Sequence, residues 1–436
     1  MPENNSPPGP VSYRWLVFCL LAVGYLLVYF HRTSPAVVAV DLMNDLAADA
    51  TLMGILGSAY FYPYALMQLP AGLLSDSWGP RRTITVFFLL AGAASIFFGL
   101  APTAQWATLA RVLVGLGVAM LFVPTMKVLT QWFKLTEFAM MTGILMAVGG
   151  AGVLIAAQPL AWLSGLLGWR GSFMAIGGVT LVLAALIWFL VRNRPEELGY
   201  PPVEAAVPTS PGAAPARAIG LGQGMKMVLA RGSFWPLALW FFFTCGIFFS
   251  FGGLWGGPYL MQVYGLTRAE AGSILNMLAV AMIVGSPLLS FLSDRVFHSR
   301  KVLLVGCPAL MVVLTAVLAF QPAGLSRPLL YVFCFLLSIG SSAIVVIAFA
   351  STKELFPVSI AGTAVGLVNF FPFFGGAVVQ NVLGAVLNHL NPGGKEFTAQ
   401  MYGQTFLILL GCAVAALIAG LLAEETFPGR AEKRRV

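Results

Sequence analysis

The sequence predicts an all-α polytopic membrane protein made of two matching six-helix bundles, and three observations carry that expectation. The chain is 59% hydrophobic and only 9% charged, whereas soluble domains carry about 25% charged residues. Apolar runs long enough to cross a bilayer recur twelve times along it. The acidic and basic residues around those runs repeat their arrangement halfway along the chain.

The runs lie near 15–40, 52–74, 83–101, 104–127, 138–161, 169–191, 233–256, 269–293, 302–320, 328–350, 359–388 and 402–423, numbered TM1 to TM12. Residues 1–14 form a polar, Pro-rich tail without the apolar core and cleavage site of a secretory signal, so TM1 is expected to be retained. Residues 15–191 hold TM1–TM6. In the stretch 192–232 the composition changes, with Pro195, Pro201, Pro202, Pro208, Pro211 and Pro215 among Ala, Gly and charged residues. Such a stretch buries too little apolar surface to fold alone and is expected to be a flexible connector without a partner-binding helix. Residues 233–423 hold TM7–TM12, and 424–436 form a basic tail. Cys19, Cys245, Cys307, Cys334 and Cys412 are scattered within apolar runs without metal or redox spacing. They read as small apolar side chains, and no metal or cofactor is expected.

An even number of spans puts both termini and the connector on one side. That side holds 17 of the 24 Lys and Arg residues, whereas the other keeps only Arg170, Arg268, Arg327 and Lys395. Basic residues concentrate in cytoplasmic loops, so both termini are expected to be cytoplasmic. The same bias explains the net charge of +8 without a nucleic-acid partner.

The repeat is specific. Gly72-Leu-Leu-Ser-Asp76 follows TM2 with Arg81 and Arg82 just beyond, and Ser290-Phe-Leu-Ser-Asp294-Arg295 follows TM8 with Arg300 and Lys301 just beyond. Trp132-Phe133 after TM4 is matched by Phe356-Pro357 after TM10, each Phe having a glycine (Gly143, Gly366) ten residues on. Two related six-helix halves are the frame of an alternating-access transporter, with cargo held between them at midplane.

Within that frame the stretch Gly24-Tyr-Leu-Leu-Val-Tyr-Phe-His-Arg-Thr-Ser-Pro-Ala36 puts His31 and Arg32 inside TM1. A guanidinium at such depth costs roughly 3 kcal/mol or more unless a bundle interior or watery cavity shelters it. Tyr25, Tyr29 and Arg32 share one helix face. That face either lines a pathway where Arg32 meets an anion, or presents Arg32 to carbonyls of a neighbouring helix. No Asp or Glu lies deep in a span, which leaves His31 as the deep group that titrates near neutral pH. An anion bound at Arg32 would favour protonation of His31, which gives proton coupling a physical basis. Arg111 and Lys127, also within spans, suit coupling, packing or snorkelling. Asn369 and Gln380 on TM11 are further candidates for cargo contact, or for helix–helix hydrogen bonds. Trp255-Gly-Gly-Pro258 and Phe370-Phe-Pro-Phe-Phe-Gly-Gly376 combine helix breakers with aromatics, which suits either gates or lipid-facing and packing surface, and Trp255 is a further candidate for cargo contact.

Gly72-Leu-Leu-Ser-Asp-Ser-Trp-Gly-Pro-Arg-Arg82 resembles the loop 2–3 signature of the major facilitator superfamily, with Ser77 where that family usually has Arg. Arg111-Val-Leu-Val-Gly-Leu-Gly117 is similar to the family's TM4 motif, and Leu167-Gly-Trp-Arg-Gly-Ser-Phe173 to its entry to TM6. The resemblance implies the major facilitator fold and a switching role for Gly72, Asp76, Gly79, Arg81, Arg82, Asp294 and Arg295. Arg192-Asn-Arg-Pro-Glu-Glu-Leu-Gly-Tyr-Pro-Pro202 is similar to the post-TM6 segment of the anion:cation symporters and organophosphate:phosphate antiporters. Those groups place an arginine in TM1 against the cargo's anionic group, and Arg32 holds the matching position. The organophosphate antiporters add an arginine in TM7, where this chain has no basic residue. One guanidinium suits a carboxylate better than a dianionic phosphate. The TM4 carboxylate of many symporters has no counterpart in Gly115–Phe122, and TM5 lacks the paired glycines of the drug-efflux branch.

The expected function is therefore secondary transport of a small organic anion across a bacterial-type inner membrane by a monomer, with proton symport through His31. Anion exchange (including the organophosphate/phosphate type), multidrug or metabolite efflux and ligand sensing without transport are the alternatives. An enzyme is not expected, because the spans hold no nucleophile–base or metal constellation.

Overall fold

The structure, a computed structural model, describes residues 10–201 and 221–427. The first lobe is built from α1 (Pro10–Thr33), α2 (Pro35–Asp45), α3 (Ala50–Ser58), α4 (Phe61–Trp78), α5 (Pro80–Leu100), α6 (Ala104–Ala119), α7 (Phe122–Trp132) and α8 (Leu135–Leu190). After α9 (Leu221–Ala230), the second lobe comprises α10 (Phe234–Ser250), α11 (Gly256–Tyr264), α12 (Arg268–Phe291), α13 (Lys301–Phe320), α14 (Arg327–Ser338), α15 (Val345–Leu355), α16 (Val358–Val368), α17 (Phe370–Leu390) and α18 (Ala399–Leu422).

These helices recover the twelve predicted runs, several of them broken part-way along. TM1 is α1 plus α2, TM2 is α3 plus α4, TM4 is α6 plus α7, and TM11 is α16 plus α17. Wide π-helical turns at Phe251–Trp255 and Ile339–Ala343 divide TM7 and TM10. Ten stretches are long and apolar enough to span on their own. One of them, Met140–Leu190, is TM5 and TM6 together, and the broken TM2 completes the twelve. TM5 and TM6 join within α8 at Gly168, whose φ of +68° is a left-handed conformation that glycine adopts without steric penalty. Large apolar side chains such as Trp162, Phe189, Phe291 and Phe320 are exposed around the bundle, as a protein solvated by lipid requires.

The lobes meet where α3 and α4 pack on α17, α8 on α12, and α2 on α11. Backbones come very close there: a Cβ on Gly257 of α11 would lie 1.8 Å from the Ala36 carbonyl oxygen of α2.

The connector departs from its expectation. A 3-10 turn forms at Pro195–Leu198, and α9 docks on α16, with Val228 fully buried and Gly224 against Thr363. The apolar residues Met225 and Val228 give this short segment a face to bury, which the Pro-rich composition of the whole stretch hid. Residues 202–220 lie outside the described ones.

The basic tail begins as a strap. Glu424 bonds Ser233, Glu425 bonds the Ser299 hydroxyl, and the Arg300 amide donates to Glu425 at 3.0 Å. The Thr426 hydroxyl donates to Glu354 at 2.8 Å, and the Arg300 guanidinium stands 5.3 Å from the Phe427 ring.

Candidate functional site

The site starts at the break in TM1. Pro35 has no amide hydrogen, so it cannot bond the carbonyl four residues earlier, that of His31. Arg111 supplies the missing donor: its Nη1 reaches the His31 carbonyl oxygen at 2.8 Å. The Arg111 guanidinium also lies 4.8 Å from the Tyr60 ring, and the Tyr60 hydroxyl donates to the Val28 carbonyl at 3.3 Å. Arg111 thus ties TM1 to TM2 and TM4 through Nη1 and its ring contact, while its Nε and Nη2 have no hydrogen-bond partner among the described residues.

One residue after that carbonyl, Arg32 turns the other way, into the gap between the lobes, and is 3% exposed. Its guanidinium carbon lies 4.5 Å from the Tyr29 ring and 4.8 Å from Tyr64, both of the first lobe. The second lobe contributes Phe373 at 4.8 Å and Phe249 at 5.5 Å. Stacking on four rings helps compensate the cation for lost water. Among the described residues no carboxylate pairs with Arg32, and its Nε has no hydrogen-bond partner. Tyr25 stands edge-on to Tyr29 at 5.2 Å, so the three residues of the predicted stripe meet as spaced.

His31 is fully buried but faces away from this cage. Its Nε2 lies 3.4 Å from the Thr180 hydroxyl on TM6, and its Nδ1 has no hydrogen-bond partner among the described residues. Gln380 borders the cage beside Phe249, donating to the Phe249 carbonyl at 2.7 Å while its Oε1 stays unpartnered among the described residues. Asn369 donates to Gln68 across the lobes at 2.9 Å, one turn nearer the chain ends than Phe373 and Tyr64. Trp255 is fully buried and packed on TM11, its indole donating to the Gln380 carbonyl at 3.3 Å. Lys127 reaches the Ser75 carbonyl at 3.1 Å, tying TM4 to TM2.

In the loop 2–3 motif, Gly79 links α4 to α5 with φ +84°, and the Arg81 amide donates to the Asn193 side chain at 2.9 Å. The Arg81 guanidinium stacks on Trp188 at 4.9 Å, and Arg82 is exposed. Gly72 has open space around it, and the Asp76 side chain lies outside the described residues. In the second copy, Asp294 pairs with Arg300, which also bonds Glu354 at 3.0 Å, while Arg295 is exposed.

Sequence reasoning missed Tyr64, Phe249 and Gln68. The stripe Tyr60, Tyr64, Gln68 at i, i+4, i+8 on TM2 carried the signal for two of them.

A family model described as Major Facilitator Superfamily matches residues 21–380. A D-galactonate transporter of Escherichia coli O6:H1 is 25% identical over 444 residues, covering 96% of this chain and 98% of its own. A probable hexose phosphate transport protein of Chlamydia trachomatis serovar D is 24% identical, covering 93% and 90%. The hexuronate transporter of Bacillus subtilis is 24% identical, covering 92% and 93%. A solved structure of a bacterial homologue of the human lysosomal transporter Spinster superposes with a TM-score of 0.71 at 21% identity, covering 96% of this chain and 97% of that one. The match of fold is therefore end to end, although the sequences have diverged. The chain belongs to the Major Facilitator Superfamily and is a multi-pass inner-membrane transporter, not an enzyme.

Proposed function

We propose that this protein carries a small carboxylate, of the sugar-acid kind, with Arg32 as the anchor for its negative charge. One observation carries the reading: a buried guanidinium sits between the lobes, gripped by rings from both, without a carboxylate partner among the described residues. A carboxylate offers the fork geometry that a guanidinium binds best, and its arrival would compensate the charge for leaving water. Relatives named for galactonate and hexuronate support the carboxylate, and those named for hexose phosphate keep a phosphate ester as the rival cargo.

The expected coupling is proton symport through His31. The position of His31 against Thr180, outside the cage, favours anion exchange as the second reading. An empty carrier that must return with an unneutralised buried cation returns slowly, which makes exchange the faster cycle.

Uptake into proteoliposomes tests both. Labelled galactonate, glucuronate and glucose 6-phosphate are offered with an inward proton gradient, or with the same anion preloaded inside. Arg32→Ala is expected to abolish uptake, and unchanged uptake would sink the anchor. Accumulation driven by the proton gradient and lost in His31→Gln supports symport. Uptake that requires internal anion and ignores the gradient supports exchange.

A further inference from the structure

We propose that the last turn of α2 is the lock that closes the face of the protein opposite the chain ends, with Arg268 and Lys395 as its bolts. The inference rests on the alternating-access reading above.

Three residues of that turn, spaced i, i+3, i+4, take three different partners. Asp45 accepts from the Trp169 indole at 2.7 Å, which fastens α2 to its own lobe. Asp41 pairs with Arg268 at the start of α12, in the other lobe, and Arg268 also donates to the Ser164 hydroxyl of α8 at 3.1 Å. The Asn44 carbonyl accepts from Lys395, in the segment between α17 and α18, at 3.4 Å. A carbonyl in the last turn sits at the negative end of the helix dipole, where a cation is favoured.

The use of basic residues on this face points the same way. Only four were expected there, because positive charge is disfavoured on that side. Arg170 serves its own lobe, bonding the Ala101 carbonyl at 2.6 Å, and Arg327 pairs with Glu270 within the second lobe at 2.9 Å. The remaining two both cross between the lobes, and both end on this one turn of α2. Behind the lock, α2 lies flush on α11 at the Ala36–Gly257 approach. The Arg32 cage lies farther in, roughly 13 Å of helical rise from Asp41.

The Asp41–Arg268 pair is partly exposed, so its attraction alone is worth little. Removing one partner is costlier, because it leaves the other charge partly desolvated and unpaired in the closed state only. The state in which the lobes part on this face rehydrates both groups and gains population.

The test uses the full chain in proteoliposomes, with hydrogen–deuterium exchange read over residues 35–46 and 268–276. Arg268→Gln and Lys395→Gln are each expected to speed exchange in both segments, by about five-fold or more for Arg268→Gln, the lower end of coupling between distant sites. The charge-swapped Asp41→Arg/Arg268→Asp chain is expected to return towards wild-type exchange. Wild-type exchange in both single variants overturns the proposal, as does a folded swap that exchanges as fast as Arg268→Gln. If Arg268→Gln fails to insert, Lys395→Gln alone carries the test. Galactonate uptake by the wild type is measured alongside, so failure of the transport reading is seen separately from failure of the lock.

Discussion

Arg111 donates to the carbonyl of His31, the one carbonyl of TM1 that Pro35 deprives of its helical partner. The two residues stand 80 positions apart in the chain. A buried cation thus replaces a backbone amide, and the kink can exist in lipid without an orphaned acceptor. This predicts coupling between Arg111 and Pro35. Arg111→Met leaves the carbonyl only the long bond from the Ser34 hydroxyl at 3.5 Å and is expected to cost about 1–3 kcal/mol. In a Pro35→Ala background, the substituted residue brings its own backbone amide and the same change is expected to cost clearly less. Thermal unfolding of the four proteins in detergent measures the cycle, and strictly additive losses would refute the account.

The aromatic cage predicts that Arg32→Lys will fail although it keeps the charge. An ammonium is a compact, strongly hydrated point charge that neither stacks on four rings nor forks onto a carboxylate. Uptake in Arg32→Lys should fall close to that of Arg32→Ala. Phe373→Leu, which keeps the bulk but removes one face of the cage, should weaken apparent cargo affinity by roughly ten-fold. Competitive uptake assays read both, and full activity in Arg32→Lys would show that charge alone suffices.

These two cases mark what the sequence could and could not show. The spans, the repeat and the Tyr25–Tyr29–Arg32 face follow from local spacing and apolar length, so they were legible. The rings of Tyr64, Phe249 and Phe373 reach Arg32 from other helices, and the Gln68–Asn369 bond joins residues 301 apart. No periodicity encodes such meetings. His31 and Arg32 are adjacent in sequence yet serve different faces of TM1, because neighbours on a helix point about 100° apart. The helix α9 was hidden for another reason: its short apolar face sits in a Pro-rich average.

Gly257→Ala separates the contact between lobes from contacts within them. The new Cβ would sit 1.8 Å from the Ala36 carbonyl oxygen, which is backbone and cannot rotate aside. In Gly152→Ala, a Cβ 2.2 Å from the Leu26 carbonyl oxygen collides within the first lobe. Overpacking of this kind costs about 1–3 kcal/mol, occasionally more. Gly152→Ala should lower the unfolding temperature, whereas Gly257→Ala can relieve its clash by parting the lobes. The expected signature is a near-native unfolding temperature, faster deuterium exchange over residues 35–46, and slowed transport. Equal thermal losses in both variants would count against a lobe boundary at this contact.

Glu425 gives a pH dependence whose sign is fixed by its surroundings. Burial by itself raises its carboxyl pKa, but the Ser299 hydroxyl and the amides of Phe427, Arg300 and Lys301 prevail and hold it below the ordinary value of 4.5. The donors of Ser299, Arg300 and Lys301 lie at the start of α13, where the helix dipole also favours an anion. The folded protein therefore prefers the ionised group more than the unfolded chain does. Its contribution to stability is present above the unfolded value of 4.5 and is lost as pH falls through the lower folded value. Glu425→Gln should therefore lower the unfolding temperature at pH 7 by ~1–3 °C, a small effect because the group is only half-buried. At an acid pH below that lowered folded value the variant and the wild type should converge. A deficit of the same size at both pH values would mean that the strap is held by packing of Phe427 and not by the carboxylate.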